Sequence, residues 1–504
     1  MRIRGSKQPS KRPKRPMLAF IGDRGSGPGP DLGSEEVASE GVPRSKKSGF
    51  KLSHQSAGSH PEPIGGAMII CPPIAGKDGS AKDRASFFAA LSAGEWSGPV
   101  TEREAETLSD LVLIRACNSK LLQGYSSLLG TALGLRSIQG ALTRQPAVVV
   151  YVTRKVSSAW LVKEEQLPDR LRGPDGLWCD LDVIEFADGV CQSRADTYSG
   201  LTDGLRGGDP HIGPGSQVAT SEVYGTLGAI VRCKKDVSKV GFITNRHVSV
   251  DLDRPLQRVY HPLPPMTYLG TAERAVSYAT DHLWYGIFCG PNPDSYVRAD
   301  GAFIPFSKEF DLSLIDTRMK GVGPLGPVIE VDLELPVASI VGKTVFKVGR
   351  TTGLTTGVIM AYAVEYDESK GVTVYTDFLV LGEGSRPFDA QGDSGSLIVM
   401  PDGEGMPPRP IGLVWGGTVN HGGLRMRNGI GPENWTSGIG LARLMHLLDV
   451  DLLYSLDADG ADGAGVPQQL PKETMAARAS KAIAMDGDGG SHAGVEAKRR
   501  KLRE

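Results

Sequence analysis

Residues 389–396 read Asp-Ala-Gln-Gly-Asp-Ser-Gly-Ser and run straight into the apolar segment 397–400. Glycines at 392 and 395 let the backbone turn tightly around Ser394, presenting its hydroxyl at a bend while the amides of Gly392 and Ser394 can point the same way. An acyl-transfer nucleophile requires that arrangement. A tetrahedral intermediate places negative charge on the former carbonyl oxygen, and two convergent backbone donors stabilise it without any side chain. The plain alternative is a Gly/Ser/Asp loop between strands, common in a chain with 65 glycines. Chemistry at Ser394 needs a histidine and an acid elsewhere in the chain.

Of nine histidines, His247 stands out because it follows the apolar run 240–244 and precedes Val248. A histidine at a strand end lies at a barrel rim, where one ring nitrogen can reach a serine while an acid holds the other. The competing reading is a partly buried histidine satisfied by backbone. His211, His261 and His282 sit in Pro/Gly or turn contexts and read as surface residues. Between His247 and Ser394 the candidate acids are Asp281, Asp300 and Asp311. Asp300 and Asp311 each head a short apolar run, the right place to orient an imidazole, and pattern does not separate them. An aspartate that merely caps a turn is the alternative for whichever does not serve.

The elements that must position these residues are short apolar runs punctuated by Gly, Pro, Asp and Asn: 227–232, 240–244, 302–306, 345–348, 358–364, 372–375, 397–400 and 411–415. Such spacing predicts an all-β sandwich or barrel. The spacing of 441–453 predicts a helix capping the barrel end. Upstream, Leu111, Ile114, Cys117 and Leu121 fall on one side of a helix after an acidic first turn of Glu102, Glu104 and Glu106. Strands are expected around 131–136, 147–153 and 177–186, making a small α+β domain over 105–205 without a cluster that suggests chemistry. Residues 201–215, rich in Gly, Asp and Pro, read as a linker.

Residues 1–104 and 454–504 are rich in Gly, Ser, Pro or Ala with few large apolar side chains, a composition expected to stay disordered. They carry basic clusters at 11–15, 44–47 and 498–501, which suggest nuclear import factors as partners or a nucleic-acid contact, against a solvated charge run. A net charge of -2 implies no bulk attraction to nucleic acid or membrane. No apolar run approaches the roughly 18 residues of a membrane span. The apolar stretch 17–21 is shorter than the roughly 7–15 residues of a signal-peptide core, so secretion is not expected, and an organellar transit peptide is the lesser alternative. The six cysteines, with no Cys-x-x-Cys pair, read as reduced packing residues of a cytosolic or nuclear protein. Neither metal nor cofactor is implied.

In chain order His247, an Asp opening a short strand, and Gly392-Asp393-Ser394-Gly395 resemble the trypsin-like, chymotrypsin-fold serine peptidases. Residues 348–359 look like the second-barrel hairpin of bacterial members, with Phe346 and Thr356 where secreted forms carry cysteines. Val414-Trp415-Gly416-Gly417 resembles the strand that pairs with substrate backbone. A closer resemblance runs from about 108 to 453: Thr-Asn-Arg-His-Val (244–248), His-Pro-Leu-Pro-Pro (261–265), Arg-Ala-Asp-Gly-Ala-Phe-Ile-Pro-Phe (298–306) and Gly-Pro-Glu-Asn-Trp-Thr-Ser-Gly (431–438) are similar to the plant Narrow-leaf family of intracellular trypsin-like peptidases.

The resemblance implies a double β-barrel, with a first barrel over 210–325 and a second over 326–453. It also implies a nuclear or nucleocytoplasmic peptidase affecting leaf growth, a homo-oligomer, and a triad of His247, Asp300 and Ser394. Ser396 departs from the wider pattern, where a second glycine is usual. Phe388, six residues before Ser394, stands where some relatives place a selecting charge, which implies an apolar or small preference in a peptide substrate lying along Val414, Trp415, Gly416 and Gly417. A rival from another class is a non-cleaving adaptor holding a peptide on the same barrels. Nucleic-acid binding, a third reading, rests on the basic tails alone and would be salt-sensitive.

Overall fold

The computed structural model describes residues 68–70, 102–138, 141–186, 199–251, 257–280, 296–367, 373–420 and 433–454. The basic clusters of both tails, Asp281 and His282 lie outside these residues.

The upstream unit is built on helix α1 (Leu108–Cys117), which Thr107 and Asp110 start with a reciprocal capping box. Asp110 is the acid of its first turn. The glutamates at 102, 104 and 106 precede the helix, where Arg103 and Glu104 pair with residues 177–178 instead. Leu108, Leu111, Val112 and Ile114 are fully buried, while Leu121 is exposed, so the apolar stripe is shorter than its spacing suggested. Behind α1 stand strands β1 (Leu128–Ile138), β2 (Ala141–Val152) and β3 (Leu177–Glu185), with β1–β2 antiparallel and β2–β3 parallel.

Residues 201–215 are packed structure rather than a loose tether. Thr202, Leu205 and Ile212 are buried, and the Arg206 guanidinium donates to the carbonyls of Arg350 and Thr351. The first barrel follows: β4 (Gln217–Ala219), β5 (Tyr224–Thr226), β6 (Ala229–Cys233), β7 (Val240–Thr244), the short helix α2 (Arg246–Ser249), β8 (Arg258–His261), β9 (Thr267–Thr271), β10 (Arg274–Thr280) and β11 (Tyr296–Pro305). Antiparallel ladders join β6–β7, β7–β11 and β11–β10 on one side and β5–β4, β4–β8 and β8–β9 on the other. The bond from Ser307 N to Leu269 O (2.7 Å) ties the end of β11 to β9.

The second barrel comprises β12 (Thr344–Gly349), β13 (Gly353–Asp367), β14 (Thr373–Gly382), β15 (Leu397–Met400), β16 (Arg409–Asn420) and β17 (Glu433–Gly440). Pairings β12–β13, β13–β14, β14–β17, β17–β16, β16–β15 and β15–β12 close a six-stranded cylinder with no edge left over along the ring. Phe346 and Thr356 face each other across its first hairpin. The chain is thus mainly β, a chymotrypsin-like double barrel preceded by an α+β unit.

Two connections bind the parts together. β1 adds to β13 in register Gly134↔Ala361, and Gly130 sits so close to the Glu365 carbonyl that a side chain there would collide with it. The Arg115 guanidinium donates to Ala363 O (2.5 Å), so α1 is clamped to the same strand. At the other end, helix α3 (Leu441–Leu447) stops earlier than its spacing predicted. Strand β18 (Val450–Leu452) then returns to pair with β6 of the first barrel, in register Val450↔Cys233. One core lies between the barrels, where Val231, Phe303, Val348, Leu413, Leu441 and Leu444 pack together.

Candidate active site

His247 enters the site because β7 ends at Thr244 and the chain turns into α2, a helix of four residues. Such a turn is too short to fix its own side chains, so the fold does it with one carboxylate. Asp300 Oδ1 accepts the His247 backbone amide (3.2 Å) and Oδ2 lies 2.6 Å from the ring Nδ1. Its carbonyl also accepts the Asn245 side-chain amide (2.9 Å). A carboxylate can only accept, so Nδ1 carries the proton and Nε2 is left as the base.

Asp300 lies within β11 and not at a strand head as expected. Its φ is +31, in the region that disfavours a side chain, and the β10–β11 register shifts beside it. Gly301 must be glycine because Leu444 of α3 occupies the space a side chain would need. Burial alone would raise the Asp300 carboxyl, but the interaction with His247, its hydrogen bond and the cations Arg246 and Arg298 outweigh that and hold it at about 2. Asp311, by contrast, is exposed and caps a turn by accepting Ser313 N (3.0 Å). His261 is buried, with Nδ1 2.7 Å from Gln217 O, so it is a packing histidine and not the surface residue its context suggested.

The serine turn follows from its two glycines: Gly392 has φ +96 and Gly395 has φ +90. Three of its amides are used internally: Asp393 N to Ala390 O, Gly395 N to Val414 O, and Ser396 N to Asp393 O. Among the bonds between described residues, none takes the amides of Gly392 and Ser394. Ser394 is half-buried.

The turn rests on the first barrel through β5. Thr226 N donates to Ser394 O (2.9 Å), and the Thr226 hydroxyl donates to Gly392 O (3.0 Å). A side chain at Gly225 would meet both Val248 (2.6 Å) and Ser394 O (2.9 Å), and one at Gly395 would strike Thr226 O and the Thr244 hydroxyl. The serine turn and the histidine turn are therefore packed against the same three-residue strand.

Composition and spacing missed the group that holds this turn. The Asp393 carboxylate is fully buried and paired with Lys347 Nζ (2.9 Å), itself fully buried on β12. Thr351 N (2.8 Å), Thr352 N (3.3 Å), the Thr352 hydroxyl (2.7 Å) and Ala390 N (3.0 Å) also donate to it. Lys347 also donates to the Thr352 hydroxyl. Gly349 leaves room for the carboxylate. The available signal was a lysine inside an apolar strand, Val345-Phe346-Lys347-Val348. Ser396 faces inward too: it is fully buried and donates to Asp393 O (2.5 Å), so it braces the turn and is not part of the outer surface.

One expected substrate contact, the Phe388 side chain, lies in the core. Phe388 is fully buried against Gly357 in the barrel core, so its side chain does not present a selecting surface. Trp415 is also buried; its indole donates to the Thr376 hydroxyl (3.0 Å) and lies 4.1 Å under the Arg298 guanidinium. Gly416 and Gly417 are half-exposed. The β15–β16 pairing ends at Leu413, and Val414 is bonded to the serine turn through its amide (to Ser396 O, 2.9 Å) and its carbonyl (from Gly395 N, 2.8 Å); beyond Val414, β16 has no strand on that side among the described residues.

Residues 194–457 match the family model described as the Nal1 C-terminal domain, and residues 103–184 match the NARROW LEAF 1 N-terminal domain. The chain belongs to the Nal1 family. Within that family, Protein NARROW LEAF 1 of Oryza sativa subsp. japonica is 45% identical over 475 residues, covering 86% of this chain and 81% of the rice protein. A probable serine protease of Bradyrhizobium tropiciagri is 27% identical over 310 residues, 57% of this chain and 36% of the bacterial one. Among solved structures, Thermobifida fusca Protease A is 18% identical, covering 49% of this chain and 100% of its own, with a TM-score of 0.31. Nocardiopsis Protease is likewise 18% identical, covering 48% and 98%, also with a TM-score of 0.31. Among the described residues no helix is long and apolar enough to cross a membrane.

Proposed function

We propose that this family member is a serine endopeptidase in which Ser394 is the nucleophile, His247 the base and Asp300 the orienting acid. The observation that carries the reading is the 2.6 Å contact of His247 Nδ1 with the Asp300 carboxylate, on a turn that shares β5 with the serine turn. Nε2 takes the Ser394 proton as Oγ attacks a peptide carbonyl, and Asp300 stabilises the imidazolium that forms. The amides of Gly392 and Ser394 receive the developing oxyanion. His247 then returns the proton to the leaving amine, and water repeats the cycle on the acyl-enzyme. The substrate adds as an extended strand along β16 beyond Val414, at 415–417, through backbone hydrogen bonds; Val414 itself, expected to share in that pairing, is bonded to the serine turn.

Its natural targets act in leaf growth, by analogy with the name of the rice relative. The address is nuclear or cytoplasmic, carried by the basic clusters.

The test is labelling of the purified full chain with a fluorophosphonate probe, read by intact mass, beside Ser394→Ala and His247→Ala. A single adduct on the unaltered chain, absent from both variants, is expected. No adduct on a folded sample overturns the reading in favour of a non-cleaving peptide holder.

A further inference from the structure

Asp389, five residues before Ser394, is 5% exposed and belongs to no part of the mechanism above. Both of its carboxylate oxygens lie against Gly417, where an added methyl group would come within 2.5 Å of Oδ1 and 2.9 Å of Oδ2. The one side-chain donor bonded to it among the described residues is the Thr436 hydroxyl, on the strand position directly opposite Gly417. The cation that acts on it, the buried Lys347, is bonded to Asp393. Among the described residues Asp389 is thus a buried acid with no ion-pair partner, set beneath the half-exposed stretch of β16 on which a peptide would lie.

A carboxylate withdrawn from water without a cation is unfavourable, and a bound cation relieves it. Burial pushes the Asp389 carboxyl up to about 6; the Thr436 bond and Lys347 oppose this, while Asp393 adds to it. Phe388, where a selecting residue was expected, is core. The next residue carries the charge.

We propose that Asp389 is the specificity carboxylate of this site and recognises a lysine or arginine side chain of the bound peptide, next to the carbonyl that Ser394 faces. The proposal deepens the peptidase reading and rests on it for the direction in which the peptide lies. It replaces the apolar preference that Phe388 implied with a basic one.

Two probes keep the readings separate. The Ser394→Ala full chain is titrated with benzamidine and with the neutral isostere benzamide, by calorimetry or ligand-observed NMR. Benzamidine is expected to bind at least about tenfold tighter, since only it brings a cation to the acid. That margin should vanish in Ser394→Ala/Asp389→Asn, with Asp389→Ser as the substitute if the asparagine variant does not fold, and should narrow below about pH 6 as the carboxylate protonates. Equal binding of the two compounds, or a margin that survives both Asp389 variants, overturns the proposal. Fluorophosphonate labelling of the unaltered chain reads Ser394 alone. A labelled protein without the benzamidine margin sinks the specificity carboxylate and leaves the peptidase. An unlabelled one with the margin leaves a basic-peptide holder in which Asp389 keeps its role.

Discussion

Asp300 and Asp389 are both aspartates removed from water, one in each barrel, and the fold drives them in opposite directions. Asp300 meets His247, Arg246 and Arg298, and its carboxyl is held at about 2. Asp389 has one hydroxyl and a second acid nearby, and its carboxyl is raised to about 6. Burial pushes both upward; what differs is the cations left within reach. In the second barrel the buried Lys347 is committed to Asp393, which pins the serine turn. The first barrel thus holds an acid with its charge satisfied, suited to orienting a base. The second holds an acid whose charge a ligand can satisfy.

The comparison breaks most sharply at Asp300. Asp300→Asn leaves the shape but removes the fixed tautomer, and hydrolysis or probe acylation should fall by about 10⁴-fold. Asp311→Asn, on an exposed turn, should leave the rate unchanged. If acylation rates of the two variants were alike, the assignment of the acid would be wrong.

Lys347→Met should have the next largest effect. It leaves Asp393 buried without its cation, and breaking such a pair is worth about 3–5 kcal/mol of stability. Denaturant titration should show the loss, with labelling of Ser394 slowed in whatever remains folded because the turn has lost its anchor. Retention of both would mean that the threonine and backbone donors alone hold Asp393.

The smallest effect has opposite signs at the two acids. A depressed carboxyl stabilises the fold above its unfolded value near 4 and loses that contribution as pH falls through 2. Asp300→Asn should therefore cost about 2 kcal/mol at pH 7. A raised carboxyl does the reverse: its penalty is absent below about pH 4, grows between 4 and 6, and is complete above. Asp389→Asn should therefore raise stability by about 2 kcal/mol at pH 7, with the gain disappearing toward pH 4. Melting curves across that window check both signs, and a destabilised Asp389→Asn at neutral pH would remove the contrast.

Much of this is legible in the sequence. The runs of apolar residues marked the strands because a half-buried strand must alternate or stay apolar over its short length. The flanking glycines marked the serine turn because φ of +96 and +90 suits only glycine. Less legible were features that depend on partners far along the chain. Residues 201–215 carry linker residues, yet Arg206 finds carbonyls at 350 and 351. Residues 441–453 have helical spacing throughout, yet the last of them find an open strand at 231–233 and extend. Local propensity is overridden wherever a ladder of backbone bonds is on offer.

By itself the sequence determined the mainly β class, the tight turn around Ser394, the place of His247 at a strand end, and the family to which the chain belongs. These are written in local residue types: glycines that permit a turn, a histidine closing an apolar run, motifs with fixed spacing. Only the tertiary structure put Asp300, and not Asp311, against His247, joined Lys347 to Asp393, buried Phe388 and Trp415, and set Asp389 beneath Gly417. Each of those depends on which groups become neighbours once water is excluded, and the charge state of a buried group follows from its neighbours rather than from its position in the chain.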